Sequence, residues 1–172
     1  MPLMKFVVEI PPRPKKRPRV YRWSTVNPSE EDEDLFARRF RELDNCPDTP
    51  FAGQIRVQFK FYRSPPKSTP QWKLPLMDSG HIRPNKSPDL DNYVKLALDS
   101  LNGVLWEDDR YIVEMHSAKY YTTGKPRIEI AMEQVDPPQY KDQAHLIVSD
   151  YDEVESLETF FDMIDPLSDE KE

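Results

Sequence analysis

A chain of 172 residues is long enough for one compact domain with its own core, and its one cysteine, Cys46, excludes an internal disulfide or a cysteine-rich zinc site. No apolar run approaches the roughly 20 residues that span a bilayer, and residues 1–10 are no secretory leader, so the expectation is a soluble, cytoplasmic protein with no membrane partner. The net charge of −7 argues against a polyanionic partner until it is divided: residues 136–172 hold 12 acids and two lysines, net −10, while the preceding chain holds 22 basic and 19 acidic residues, net +3.

In chain order, residues 5–10 (KFVVEI) have the short β-branched character of a first strand. PPRPKKRPR at 11–19 follows, where four prolines exclude helix and strand interior and five cations crowd together: Arg13, Lys15, Lys16, Arg17 and Arg19. Residues 29–43 predict a helix, with Ser29 as cap, acids in the first turn, and Arg38, Arg39 and Arg41 where the dipole favours cations. Ile55, Val57, Phe59 and Phe61 alternate, as on a half-buried strand over 54–62. Residues 64–88 read as a long loop rich in proline and lysine, a length that in a compact domain marks function or mobility.

The clearest helix comes next. Leu90, Tyr93, Val94, Ala97, Leu98 and Leu101 form one apolar stripe, with Ser87-Pro88 read as cap and first helical residue and Asn102-Gly103 as the stop. Residues 111–121 and 127–135 read as two strands joined by the Thr-Thr-Gly-Lys turn at 122–125. The order β-α-β-α-β-β predicts an α+β domain over 1–135, a small mixed β-sheet with two main helices. Pro137-Pro138 open an acidic tail, 136–172, whose Leu157, Phe160, Phe161 and Ile164 suit one helical face and whose charge suits disorder until bound.

The chemistry concentrates at 88–109. Asp89 and Asp91 stand one residue apart, Lys95 follows one helical turn later, and Asp108 and Asp109 arrive just past the helix end. Magnesium takes hard oxygen ligands, and carboxylate-bound metal ions supply the charge neutralisation and activated water that phosphodiester hydrolysis needs. Lys95 suits stabilisation of the phosphate charge or orientation of the water. Asp91, Lys95 and Asp99 share one helix edge, and for Asp89 to join Asp91 on a shared metal it must lie at or before the helix start. The later acids must also return to that end. The plainer readings are a helix-start acid for Asp89, an ordinary i,i+4 pair for Asp91 and Lys95, and a turn at Asp108-Asp109.

The segment 88–113, with DLDN, then K, LD-LNG, W-DD and IV, closely resembles the RusA family of Holliday junction resolvases. PKKRPRVYR at 14–22 resembles that family's proline-flanked basic motif, and the likeness covers most of 4–135. The resemblance implies a homodimeric endonuclease, dependent on Mg2+ with Mn2+ as a substitute, that nicks four-way DNA junctions symmetrically in recombination and repair. It places the metal-binding catalytic acids on Asp89, Asp91 and Asp109 and the essential lysine on Lys95, and leaves Asp108 open. The long 64–87 loop and the acidic tail depart from the family pattern.

Arg13, Lys15, Lys16, Arg17 and Arg19 form the expected DNA strip, with Arg83 and Lys86 placed to hold the backbone beside the scissile phosphate; a merely solvated basic loop is the alternative. Trp72 suits either a wedge at a junction or a pin for its loop, and Trp106 suits packing of the turn. His81 and His116 lack partners at metal spacing, which argues against zinc. The tail fits inert polymer, a docking segment for a protein partner, or a mimic of DNA on the basic face. Rival functions are a nuclease for flaps or forks, a junction-binding protein without turnover, and an adaptor acting through the tail.

Overall fold

A computed structural model describes residues 3–135; the acidic tail, and every expectation placed on it, lies outside the described residues. The chain runs β1 (Met4–Val8), β2 (Arg19–Tyr21), β3 (Ser24–Val26), α1 (Glu30–Arg41), β4 (Ile55–Arg63), α2 (Leu74–Asp78), α3 (Leu90–Leu101), β5 (Ile112–Tyr121) and β6 (Arg127–Gln134). Four of these strands make one mixed sheet in the order β1-β6-β4-β5, and β2 and β3 pair apart from it as a hairpin. The fold is thus α+β, and without the hairpin and α2 the element order is the expected β-α-β-α-β-β.

Alternation builds the sheet's apolar face. Ile55, Val57, Phe59 and Phe61 of β4 are buried, the last three opposite Met132, Ile130 and Ile128 of β6, which in turn faces Phe6 and Val8 of β1. Phe36 and Phe40 of α1 and Tyr93, Val94, Ala97 and Leu101 of α3 join them in one core. Ring contacts mark the joints: Phe6 on Phe40 at 4.9 Å, and Phe61 stacked on Tyr93 at 5.4 Å. Each fully buried phenylalanine contributes about 1.5–3 kcal/mol to such a core.

The opposite sheet face is polar and paired. Arg56 on β4 bridges Glu114 of β5 and Glu133 of β6, and Gln58 bonds His116 at 3.2 Å. The Arg127 guanidinium lies 3.9 Å from the centroid of Tyr62, whose ring stacks on Tyr120.

The two strands expected on either side of the 122–125 turn are β5 and β6, and β4 lies between them, parallel to β5 and antiparallel to β6. Two expectations change. The 64–88 loop contains the short helix α2, with a proline in its first turn. Finally, Asp89 occupies the N-cap position of α3, without a side-chain capping bond, so Pro88 precedes the helix and Ser87 is not its cap. Asn102 does end α3, and Gly103 reverses the chain at φ +69°.

Candidate active site

Parallel pairing of β4 and β5 makes α3 the crossover between them, and that decides where the acids fall. The start of α3 sits at the C-terminal ends of both strands. Arg63, the last residue of β4, donates to the Ser87 carbonyl at 3.3 Å, and Lys119 of β5 donates to the carbonyls of Lys86 and Pro88 at 3.3 and 3.0 Å. These two cations fix the loop segment that leads into Asp89. Neither follows from spacing alone, since their role depends on which strand ends lie together.

Asp89 is extended, at φ −72° and ψ 149°, so it lies just outside the helix as a shared site with Asp91 requires. Its side chain makes no capping hydrogen bond, which removes the commonest structural duty of an aspartate there. Asp91 in the first turn is exposed and lies 3.4 Å from the Lys95 ammonium. Asp89, Asp91 and Lys95 therefore share one exposed end of α3, with the helix dipole adding positive potential.

Asp108 and Asp109 divide their duties at the other end of the crossover. Asp108 accepts from the Arg110 backbone N–H at 3.0 Å and caps a 3-10 turn, Asp109–Tyr111. Asp109 makes no side-chain hydrogen bond or ion pair among the described residues. The connection after α3 is pinned at the N-terminal end of β4, where Phe51 exchanges backbone bonds of 2.9 Å with Leu105 and Glu107. The seven steps from Ile112 to Lys119 span about 23 Å at the usual strand rise. Asp109 is thus a strand's length from Asp89 and Asp91.

The donor set has the right chemistry for a hard divalent cation, since all three are carboxylates. One chain does not assemble it: no group of three or more His, Cys, Asp or Glu side chains among the described residues is placed to hold a metal ion. His81 instead bonds the Ser79 hydroxyl at 2.8 Å.

Beside Asp89 opens a cleft of about 370 Å³, lined by Pro12, Arg13, Arg63, Ser64, Pro88 and Tyr93 among others. Burial pushes the Tyr93 hydroxyl above its ordinary range, against the pull of Arg63, so it stays a neutral hydrogen-bonding group. The cleft brings the guanidinium groups of Arg13 and Arg63 to the same end of α3 as the acids.

The basic strip is not uniform. Arg17 and Arg19 are exposed, and Lys16 is exposed with its ammonium 3.4 Å from Asp32. Lys15 points inward, joins Glu33 of α1 to Asp99 of α3, and donates its backbone N–H to Asn92 at 2.8 Å. Burial pulls its ammonium down, but the bonds to Asp99 and Glu33 outweigh this and hold it above the usual lysine range. Arg83 stacks 4.4 Å from the Tyr120 ring centroid, while Lys86 is exposed and offers its carbonyl to Lys119. Trp106 is fully buried and donates to Asn102 at 2.9 Å, packing the turn as expected, and Trp72 is exposed.

The chain's sequence matches the family model of endodeoxyribonuclease RusA over residues 9–133. It is also 30% identical, over 141 residues, to the uncharacterized protein YqaN of Bacillus subtilis (strain 168), a match covering 78% of this chain and 99% of the relative.

Proposed function

This chain belongs to the RusA family of endodeoxyribonucleases, and from that membership we propose that it resolves four-way (Holliday) junctions in DNA recombination and repair, by phosphodiester hydrolysis that depends on Mg2+ or Mn2+. The observation that carries the site assignment is Asp89, at the N-cap position without a capping bond, beside Asp91 at the start of α3, one turn before Lys95.

Asp89, Asp91 and Asp109 are the proposed metal-binding carboxylates. A divalent cation held by them would neutralise phosphate charge and lower the pKa of a bound water. The separation of Asp109 from the other two acids supports a homodimer in which Asp109 of one copy completes the pair of the other. A two-fold dimer also presents paired sites to a junction of near two-fold symmetry, and both strands must be cut to resolve it.

The chain's own residues supply the rest. Lys95, exposed beside Asp91, stabilises charge on the phosphate as it is attacked. Arg63 and Lys119 hold the backbone of Ser87 and Pro88 and so orient Asp89. Arg13, Arg17, Arg19 and Lys86 position the DNA backbone, whose contacts set affinity and weaken with salt. Asp108, engaged by the Arg110 amide, has a structural duty.

The test is cleavage of a labelled four-way junction, a flap and a linear duplex, each with Mg2+, with Mn2+ and with chelator. Paired symmetric nicks in the junction alone, absent with chelator, are expected. Preferred cutting of the flap would transfer the activity to other branched DNA. Junction binding without cutting in either metal would leave a DNA-binding protein and retire the enzyme reading.

A further inference from the structure

Residues 10–29 contain six cations and no acid, and their tip carries two aromatic side chains that nothing in the described core covers. β2 and β3 form a two-stranded ribbon closed by Arg22 and Trp23, with Tyr21 opposite Ser24 at the last pair. Neither strand joins the main sheet. Trp23 is 88% exposed, Val20 78% exposed, and Tyr21 and Val26 are exposed as well. The Arg22 guanidinium lies 5.2 Å from the Trp23 ring centroid.

A bare two-stranded ribbon is marginal in water, and a large aromatic side chain held at its turn gains nothing from the core. Such a residue finds its favourable contact in a partner. The charge selects which one. A second copy would bring like-charged hairpins together, whereas a polyanion with unstacked bases satisfies both the arginines and the indole. Aromatic rings interleaved with arginine are the combination that binds exposed nucleic-acid bases, by stacking assisted by cation–π attraction.

We propose that the β2–β3 hairpin is a stacking finger, in which Trp23, with Tyr21 and Arg22 beside it, takes the unstacked bases at the branch point of the DNA substrate. The finger is tethered close to the chemistry. Arg13 lines the cleft beside Asp89, and the six steps from Arg13 to Arg19 reach at most about 22 Å. The inference rests on the reading of the chain as a junction endonuclease and names the part of the substrate that the hairpin recognises.

The experiment uses the full chain in chelator, so that no DNA is cut. Its ligands are a four-way junction with 2-aminopurine at the branch point, a single strand and a linear duplex. Wild type is expected to change the 2-aminopurine fluorescence. Trp23→Ala should lose that change and bind the junction and the single strand about tenfold more weakly, with duplex binding altered less than twofold. Trp23→Phe should keep most of both. Junction and single-strand binding by Trp23→Ala equal to wild type would overturn the finger. So would an equal loss on all three DNAs, or dissociation of a dimer by the same substitution in sedimentation at the same concentration. If wild type cuts no junction in Mg2+ while Trp23→Ala still loses single-strand binding, the finger stands and the junction reading falls.

Discussion

Of the cations between Arg13 and Arg19, Lys15 alone is drawn into the fold, with its side chain 18% exposed between Glu33 and Asp99. Lys15→Met leaves two acids facing each other without their cation and should lower the unfolding free energy by about 1–2 kcal/mol in urea denaturation. Because its pKa is raised, the stabilisation is complete below the ordinary value of 10.5 and is lost only as pH rises through the higher folded value. The gap between wild type and variant should therefore be constant through neutral pH and close only above about pH 10.5. Composition cannot separate Lys15 from Arg17, since both sit in the same run of cations; the distinction comes from α1 and α3 closing over one and not the other. Asp89 was more legible. The proline before it and the apolar stripe after it place it at the helix boundary, and only the missing capping bond had to come from the structure.

At the scale of elements, legibility followed burial. The β4 alternation and the α3 stripe are each set by one buried face; β4 stands within a residue of where the pattern puts it, and α3 spans the stripe from Leu90 to Leu101 but starts two residues after the expected Pro88. The β2–β3 hairpin escaped because all three side chains of β2 are exposed, on both faces of the strand, so no period marks it. α2 escaped because five residues with a proline in the first turn resemble loop. The turn at 122–125 marks where β5 ends and β6 begins, but turn residues report reversal of direction, not which strand lies next door, so the place of β4 between them had to come from the structure. The connection after α3 depends on Trp106, fully buried in a T-shaped contact with Phe59 at 6.4 Å and with its N–H on Asn102. Trp106→Ala should cost about 3–5 kcal/mol, followed by circular dichroism in urea, whereas the exposed Trp72→Ala should cost less than about 0.5 kcal/mol.

For the whole molecule, strand order governs the site. The sequence puts Asp89, Asp91 and Asp109 within 21 positions, yet the parallel β4–β5 pairing sends the chain down the helix before Asp109 is reached. The requirement that the later acids return to the helix start is not met within one chain, and no local pattern could have revealed this. Charge operates at the same scale. With net +3 before residue 136 and net −10 after it, a tail competing for the basic strip predicts that truncation after Val135 tightens DNA binding, most at low salt where screening is weak. Equal affinity of full-length and truncated chains at every salt concentration would show the tail to be inert toward DNA.

The most direct measurement is complementation on a labelled four-way junction in Mg2+, using Asp91→Asn, Asp109→Asn and an equimolar mixture allowed to exchange subunits. If each site takes Asp89 and Asp91 from one copy and Asp109 from the other, each variant alone should fall at least about a hundredfold in nicking. The mixed dimer then keeps one wholly wild-type site, so the mixture should recover a substantial part of wild-type nicking. Near wild-type cutting by either variant alone would contradict the assignment of these carboxylates. Inactive variants with no recovery on mixing would contradict a site shared between two copies.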